Sequence, residues 1–159
     1  MSETHDSLLI TDFLVRNEES IGELYLVYAD KYEELSDFWH GLALEEKGHA
    51  DCIRKLADQV AEQGMHIEQG RFRTEAIRNF TKYVQSETER ARKEQIPLIT
   101  ALSIALDIEK SIIESNFFEV FDTDSAELRH VLHELAASTN EHVKRVEECW
   151  AEHRQAHDS

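Results

Sequence analysis

Apolar residues recur at three- and four-residue steps through most of the chain, the period of amphipathic helices. Leu14, Ile21, Tyr25 and Tyr28 mark a first helix over about Ser7 to Asp30, and Glu18 falls on the same stripe. Leu35, Trp39, Leu42, Ile53, Leu56 and Val60 mark a second from about Glu34 to Gln63, with Gly64 placed to end it. Glu46 and His49 fill a gap in that stripe. From Gly70 to Gln95 the apolar positions thin to Phe72, Ala76, Ile77, Phe80 and Val84, followed by the polar run "SETERARKEQ", which reads as a helical connector. Pro97, suited to a first helical turn, opens a third long helix through about Phe121. Its inward positions are Leu98, Ala101, Leu102, Ala105 and Ile112, interrupted by Glu109. In "FDTDSAEL", Asp124 is the candidate cap of a fourth helix and Glu127, three positions on, completes a capping box. That helix carries Leu128, Val131, Leu132, Leu135, His142 and Val146 to about His153.

Short connections make the first two helices one antiparallel hairpin and the last two another, with the long middle segment crossing between them. The expectation is an all-α chain: an antiparallel four-helix bundle with one long, partly helical crossover. At 159 residues it forms one domain, 1–159. Five glycines and the single Pro97 agree with long uninterrupted helices.

Charge narrows the partners. With 33 acidic against 17 basic residues the formal charge is −16, which opposes nucleic acid and anionic membranes and tolerates metal cations. Most of those acids read as a solvated surface. No apolar run approaches the ~20 residues of a membrane span, and no N-terminal stretch has a signal-like apolar region, so the expected setting is soluble and cytoplasmic. Cys52 and Cys149 belong to no CxxC pair and read as free, buried thiols rather than a disulfide or zinc framework.

The two hairpins look like copies of each other. "EESIGE" at 18 to 23 sits over "EKSIIE" at 109 to 114, and "LALEEKGH" at 42 to 49 over "LAASTNEH" at 135 to 142. Glu18 thereby pairs with Glu109, His49 with His142, and Glu46 with Thr139. If the first turn centres near Tyr32, Glu18 and Glu46 each lie about 21 Å from it, at 1.5 Å per residue, and should face each other. A second turn near Thr123 brings Glu109, Thr139 and His142 to a comparable depth.

Glu-x-x-His spacing alone is weak: nine histidines among 23 glutamates in 159 residues give about one such pair by chance. The chain has two, and the second, Glu127 to His130, lies off the main stripe and reads as a cap and a surface histidine. The stronger signal is that Glu18, Glu46, His49, Glu109 and His142 all interrupt apolar stripes at matching depth. Unpaired carboxylates in a bundle core would destabilise it by several kcal/mol. A divalent iron or manganese ion neutralises them and takes oxygen and imidazole ligands together. The competing reading is a hydrogen-bonded polar layer with no ion.

In these segments the chain resembles the ferritin-like superfamily, and within it the rubrerythrin-type di-iron proteins. "EESIGELYLVY" is similar to that family's first-helix Glu with a Tyr seven residues on, "LEEKGH" to its second-helix Glu-x-x-His, and "ALDIEKSIIE" to its third-helix Glu, followed by His142. The resemblance implies metal ligands Glu18, Glu46 and His49 on one side and Glu109 and His142 on the other, with Glu46 bridging and Tyr25 nearby. It implies one or two iron ions, with manganese or zinc as alternatives, and oxygen or hydrogen peroxide as the oxidant. The departure is Thr139, which stands where the family places a second bridging Glu and can offer no anionic ligand. Glu141 and Glu114 fall on other helix faces and do not replace it. No Cys-rich electron-delivery module accompanies the bundle. Tyr28 reads as core, and His40 and His133 as surface or helix-pairing residues.

Two functions follow as expectations. One is iron redox chemistry, as a peroxidase or ferroxidase. The alternative is a non-catalytic module with one metal or none, suggested by Thr139. A homodimer through an exposed helix face is the expected assembly.

Overall fold

The computed structural model describes residues 2–63, 71–115 and 125–158. They form five helices, α1 (Ser2–Lys31), α2 (Ser36–Gln63), α3 (Arg71–Lys93), α4 (Leu98–Glu114) and α5 (Ala126–Asp158), with no strand among the described residues. No described helix is long and apolar enough to cross a membrane. Gly64, Gly70, Phe121, Thr123 and Asp124 fall outside the described residues, as do the side chains of Val60 and Phe72.

Local chemistry sets the helix ends. Tyr32 breaks α1, and its carbonyl accepts the Leu35 N–H at 3.0 Å, closing a single 3-10 turn over Glu33–Leu35. The second helix therefore starts at Ser36 rather than near Glu34. Pro97 lies just outside α4, with ψ at 145°, rather than in its first turn. Its carbonyl accepts the N–H groups of Thr100 at 2.9 Å and Ala101 at 3.2 Å, and its missing N–H costs nothing there. At α5 the cap is Ser125, whose Oγ accepts the Leu128 N–H at 3.3 Å. Glu127 is exposed, and the capping box expected between it and Asp124 lies outside the described residues.

Cross-helix contacts give the chain directions. Glu18 opposes His49, and Gly22 opposes Ala43, so α1 and α2 run antiparallel. Ser103 meets Trp150 and Glu109 meets His142, so α4 and α5 do too. Thr81 donates to Asn17 at 3.0 Å, Arg92 to Glu23 at 2.7 Å and Lys31 to the Glu94 carbonyl at 2.6 Å; these pairs advance together, so α3 runs parallel to α1. The connector is thus a 23-residue helix that carries the chain back to the end where α1 turned.

Burial follows the apolar stripes. Leu14, Ile21, Tyr25, Tyr28, Trp39, Leu42, Ile53, Ala101, Leu102, Ala105 and Ile112 are all buried. In α3 Ile77 and Val84 face inward, whereas Ala76 points to solvent, because a helix packed on one neighbour buries a narrower stripe. Tyr25, Tyr28 and Trp39 form an aromatic cluster, with ring centroids 5.5 Å apart for Tyr25 and Trp39 and 4.8 Å for Tyr28 and Trp39. Both cysteines are free, Cys149 buried and Cys52 half-buried. His40, His130 and His133 are exposed.

Candidate metal centre

Inside this apolar packing lies a compact polar layer. Glu18 from α1, Glu46 and His49 from α2, Glu109 from α4 and His142 from α5 are all buried, none more than 7% exposed. Each occupies a stripe position, so the helix period that buries the neighbouring leucines and isoleucines carries these side chains inward as well.

Glu46 sits at the centre. Its Oε1 lies 3.0 Å from His142 Nδ1, and its Oε2 3.5 Å from His49 Nδ1. The two oxygens of one carboxylate thus face imidazoles from opposite hairpins. Glu18 lies on the His49 side, at 3.8 Å, and Glu109 on the His142 side, at 3.4 Å. Glu46, His49 and His142 each offer one ligand atom within 4.8 Å of the other two.

Around this group the orientations are held from outside. The Tyr25 hydroxyl donates to Glu109 Oε1 at 2.8 Å. Ser138 Oγ lies 2.8 Å from His49 Nε2. His142 Nε2 faces Glu45 Oε1 at 3.7 Å, and the other oxygen of Glu45 accepts from Arg145 at the surface. Each histidine therefore turns Nδ1 to the buried carboxylates and Nε2 to a group outside the layer, Ser138 for His49 and Glu45 for His142, an arrangement that leaves Nδ1 as the metal-facing atom. Neither Ser138, Glu45 nor Arg145 stood out in the sequence. Ser138 neighbours Thr139, but nothing in a one-dimensional pattern says that its hydroxyl reaches a histidine on another helix.

Thr139 is buried at the same layer, 2% exposed, and its hydroxyl donates to the Leu135 carbonyl of its own helix at 3.0 Å. It is satisfied without reference to the cluster. Glu114 and Glu141 are exposed and take no part.

Electrostatics in the layer are strained. Burial raises the Glu18 carboxyl well above its ordinary value, and the neighbouring Glu46 carboxyl raises it further. For His49, burial opposes a positive charge, but Glu18 and Glu46 outweigh it and hold the imidazole up at about 10. For His142, burial again opposes the charge while Glu109 and Glu46 outweigh it, giving about 10. Burial, then Glu109 and Glu46, raise the Tyr25 hydroxyl well above its usual value, so it stays a donor.

The layer fits a metal on its own chemistry. Glu18 Oε2, Glu46 Oε2, His49 Nδ1 and Glu109 Oε2 are all buried without a hydrogen-bond partner. An unsatisfied buried polar atom costs about 1–3 kcal/mol, more when charged, so four in one layer form a costly arrangement for a purely structural network. Carboxylate oxygens with imidazole nitrogens are a donor set for iron, manganese or zinc.

No protein-family model, no curated protein and no solved structure matches the chain.

Proposed function

We propose that this chain is a metal-binding protein of ferritin-like design, a four-helix bundle of α1, α2, α4 and α5 in which α3 serves as the crossover. Its buried layer takes iron, with manganese or zinc as alternatives, and reacts ferrous iron with oxygen or hydrogen peroxide. The observation that carries the reading is the convergence, from four helices, of three buried carboxylates and two buried imidazoles, with one oxygen of each carboxylate and His49 Nδ1 unpartnered.

Bound iron would supply the electrons for reducing the oxidant. The chain's own residues would do the rest. Glu46 would link the two sides, since its oxygens face His142 and His49 separately. Glu18 and Glu109 would each complete one side. Tyr25 fixes the rotation of the Glu109 carboxylate, and Ser138 fixes the His49 ring. Full burial excludes water and strengthens each ligand's electrostatic contribution.

Thr139 favours a second reading, a single ion held without catalysis. The three residues within mutual ligand distance are Glu46, His49 and His142, one carboxylate and two imidazoles. With three carboxylates, two divalent ions would carry a net +1, and two ferric ions +3 before any hydroxide joined them. One ion leaves no such excess.

Anaerobic titration of metal-free protein with Fe(II), followed by hydrogen peroxide, separates the readings. Two tight sites per chain with ferric absorbance appearing faster than in buffer support the redox reading. One site without accelerated oxidation supports the single-ion reading, and no site at all would overturn both.

A further inference from the structure

Acidic residues outnumber basic ones 33 to 17, so a cation on this surface is expected to find a carboxylate. Along the second half of α3 the cations do. Arg90 pairs with Glu87 and Glu94, Arg92 with Glu23 and Glu89, and Lys93 with Glu89. The first half differs. Where α3 lies on α1, Arg16 of α1 and Arg78 and Lys82 of α3 have no carboxylate within ion-pair distance among the described residues. Glu19, one turn after Arg16, is taken by Arg54.

These three cations line one pocket. Its volume is about 150 Å³, and its walls are Phe13 and Arg16 from α1 and Arg78, Thr81, Lys82 and Gln85 from α3, none of them acidic. The Arg78 guanidinium lies over the Phe13 ring, 5.4 Å from its centroid, which holds a flexible side chain in place beside the cavity. Thr81 donates to Asn17 Oδ1 at 3.0 Å and so ties α3 to α1 at the pocket wall. Gln85, on the same face as Lys82, brings an amide with two N–H donors. Arg78 and Lys82 are four residues apart on one helix, a spacing at which like charges repel, and Arg16 adds a third charge from the facing helix. An anion placed among them converts that repulsion into attraction.

Size and charge select the anion. At about 150 Å³ the pocket falls below the ~300–1,000 Å³ of sites that enclose drug-sized molecules, so it suits a small oxyanion and is too small to enclose a nucleotide. Two guanidinium forks match the oxygens of a phosphate group, and a lysine adds a point charge. Three cations complement a dianion better than the single charge of a carboxylate. The formal charge of −16 does not prevent binding, because at physiological ionic strength charges beyond ~8 Å are largely screened and the adjacent cations dominate. We propose that this pocket between α1 and α3 binds phosphate, as the free ion or as the phosphate group of a small monoester. The anion joins Arg16 on α1 to Arg78 and Lys82 on α3 and thereby staples the connecting helix to α1. The site lies outside the buried layer and is independent of what that layer binds.

The test is calorimetric titration of the full chain with inorganic phosphate, on the protein as isolated and again after metal removal, because phosphate also binds metal ions. Saturable binding of one anion per chain is expected in both states, with a Kd on the order of 1 mM or tighter. Arg78→Gln and Lys82→Gln should each weaken it by at least about tenfold. Their helical circular dichroism should match wild type, since both side chains are exposed. Phosphate should also raise the melting temperature of wild type more than that of either variant. The excess is the linkage from binding the folded chain, whereas the general exclusion of phosphate from protein surfaces acts on all three alike. The same titration with glycerol phosphate identifies the source: tighter binding of the ester assigns the pocket to a small monoester, and tighter binding of inorganic phosphate assigns it to the free ion. Absence of saturable binding of both, binding that vanishes with the metal, variants that bind as wild type does, or acetate held as tightly as phosphate would each overturn the proposal.

Discussion

His49 and His142, from opposite halves of the chain, stack with ring centroids 5.2 Å apart and 21° between their planes. Two imidazoles that each hold a proton up to about 10 would repel at that distance. Carboxylates on their Nδ1 edges offset the repulsion, with Glu46 touching both rings. A divalent ion among the same atoms would replace those protons, and the layer's predictions follow from that exchange.

Removing a central donor should remove the ion. Glu46→Gln or His49→Ala is expected to weaken metal binding by more than about a hundredfold, since even supporting residues contribute about 10–100-fold. Competition against a chelator of known affinity measures this, with circular dichroism to show that the helices persist. Unchanged affinity in both variants would rule out the layer as the site.

Restoring the missing acid is the converse experiment. Thr139 is buried beside the layer, so Thr139→Glu adds a carboxyl that costs several kcal/mol without an ion. The variant should melt below wild type when metal-free, recover when metal is added, and bind more ions per chain. Equilibrium dialysis with melting curves in both states tests it; destabilisation that metal does not relieve would contradict the assignment.

Proton linkage gives a pH signature. Folded His49 and His142 titrate at about 10 against an ordinary 6.5, so between those values the folded chain holds protons that the unfolded chain has lost. Their contribution to stability is complete below about pH 6.5 and declines as pH rises toward 10. Glu18, raised above its usual 4.5, acts in the same direction, since folding favours its protonated form. The metal-free protein should therefore lose stability steadily from about pH 6 to 10 in denaturant titrations. Saturating metal should flatten or reverse that slope, because binding requires the deprotonated donors.

Tyr25→Phe deletes the hydroxyl that donates to Glu109 Oε1 and leaves that buried oxygen only the longer, 3.4 Å approach of His142 Nδ1. Destabilisation of about 1–3 kcal/mol is expected in the metal-free protein. Urea unfolding measures it, and a smaller loss in the metal-loaded protein would show the ion sharing the same carboxylate.

Ser138→Ala frees His49 Nε2 from the hydroxyl that faces it at 2.8 Å while leaving every proposed ligand in place. Metal affinity should fall by about tenfold, the lower end of the range for residues that orient a ligand. The absorption spectrum of bound Co(II) would report the altered ring orientation independently of any activity.

Helix period and residue chemistry were enough to mark five long helical segments and to place Glu18, Glu46, His49, Glu109 and His142 on inward stripes. A 3.6-residue repeat is local information, and a carboxylate interrupting an apolar stripe is visible in one dimension. Turn chemistry was legible less precisely. The Ser125 hydroxyl accepts a backbone N–H at the start of α5, and Pro97 stands outside α4, because a cap depends on the backbone angle at one residue. Only the tertiary structure decided that Glu46 divides its two oxygens between His49 and His142, that Thr139 spends its hydroxyl on Leu135, and that Ser138 reaches across to His49. Those relationships depend on the rotation of each helix about its own axis and on the distance between helices. Both are set by how the whole core packs, with Trp39 filling the space beside Tyr25 and Tyr28.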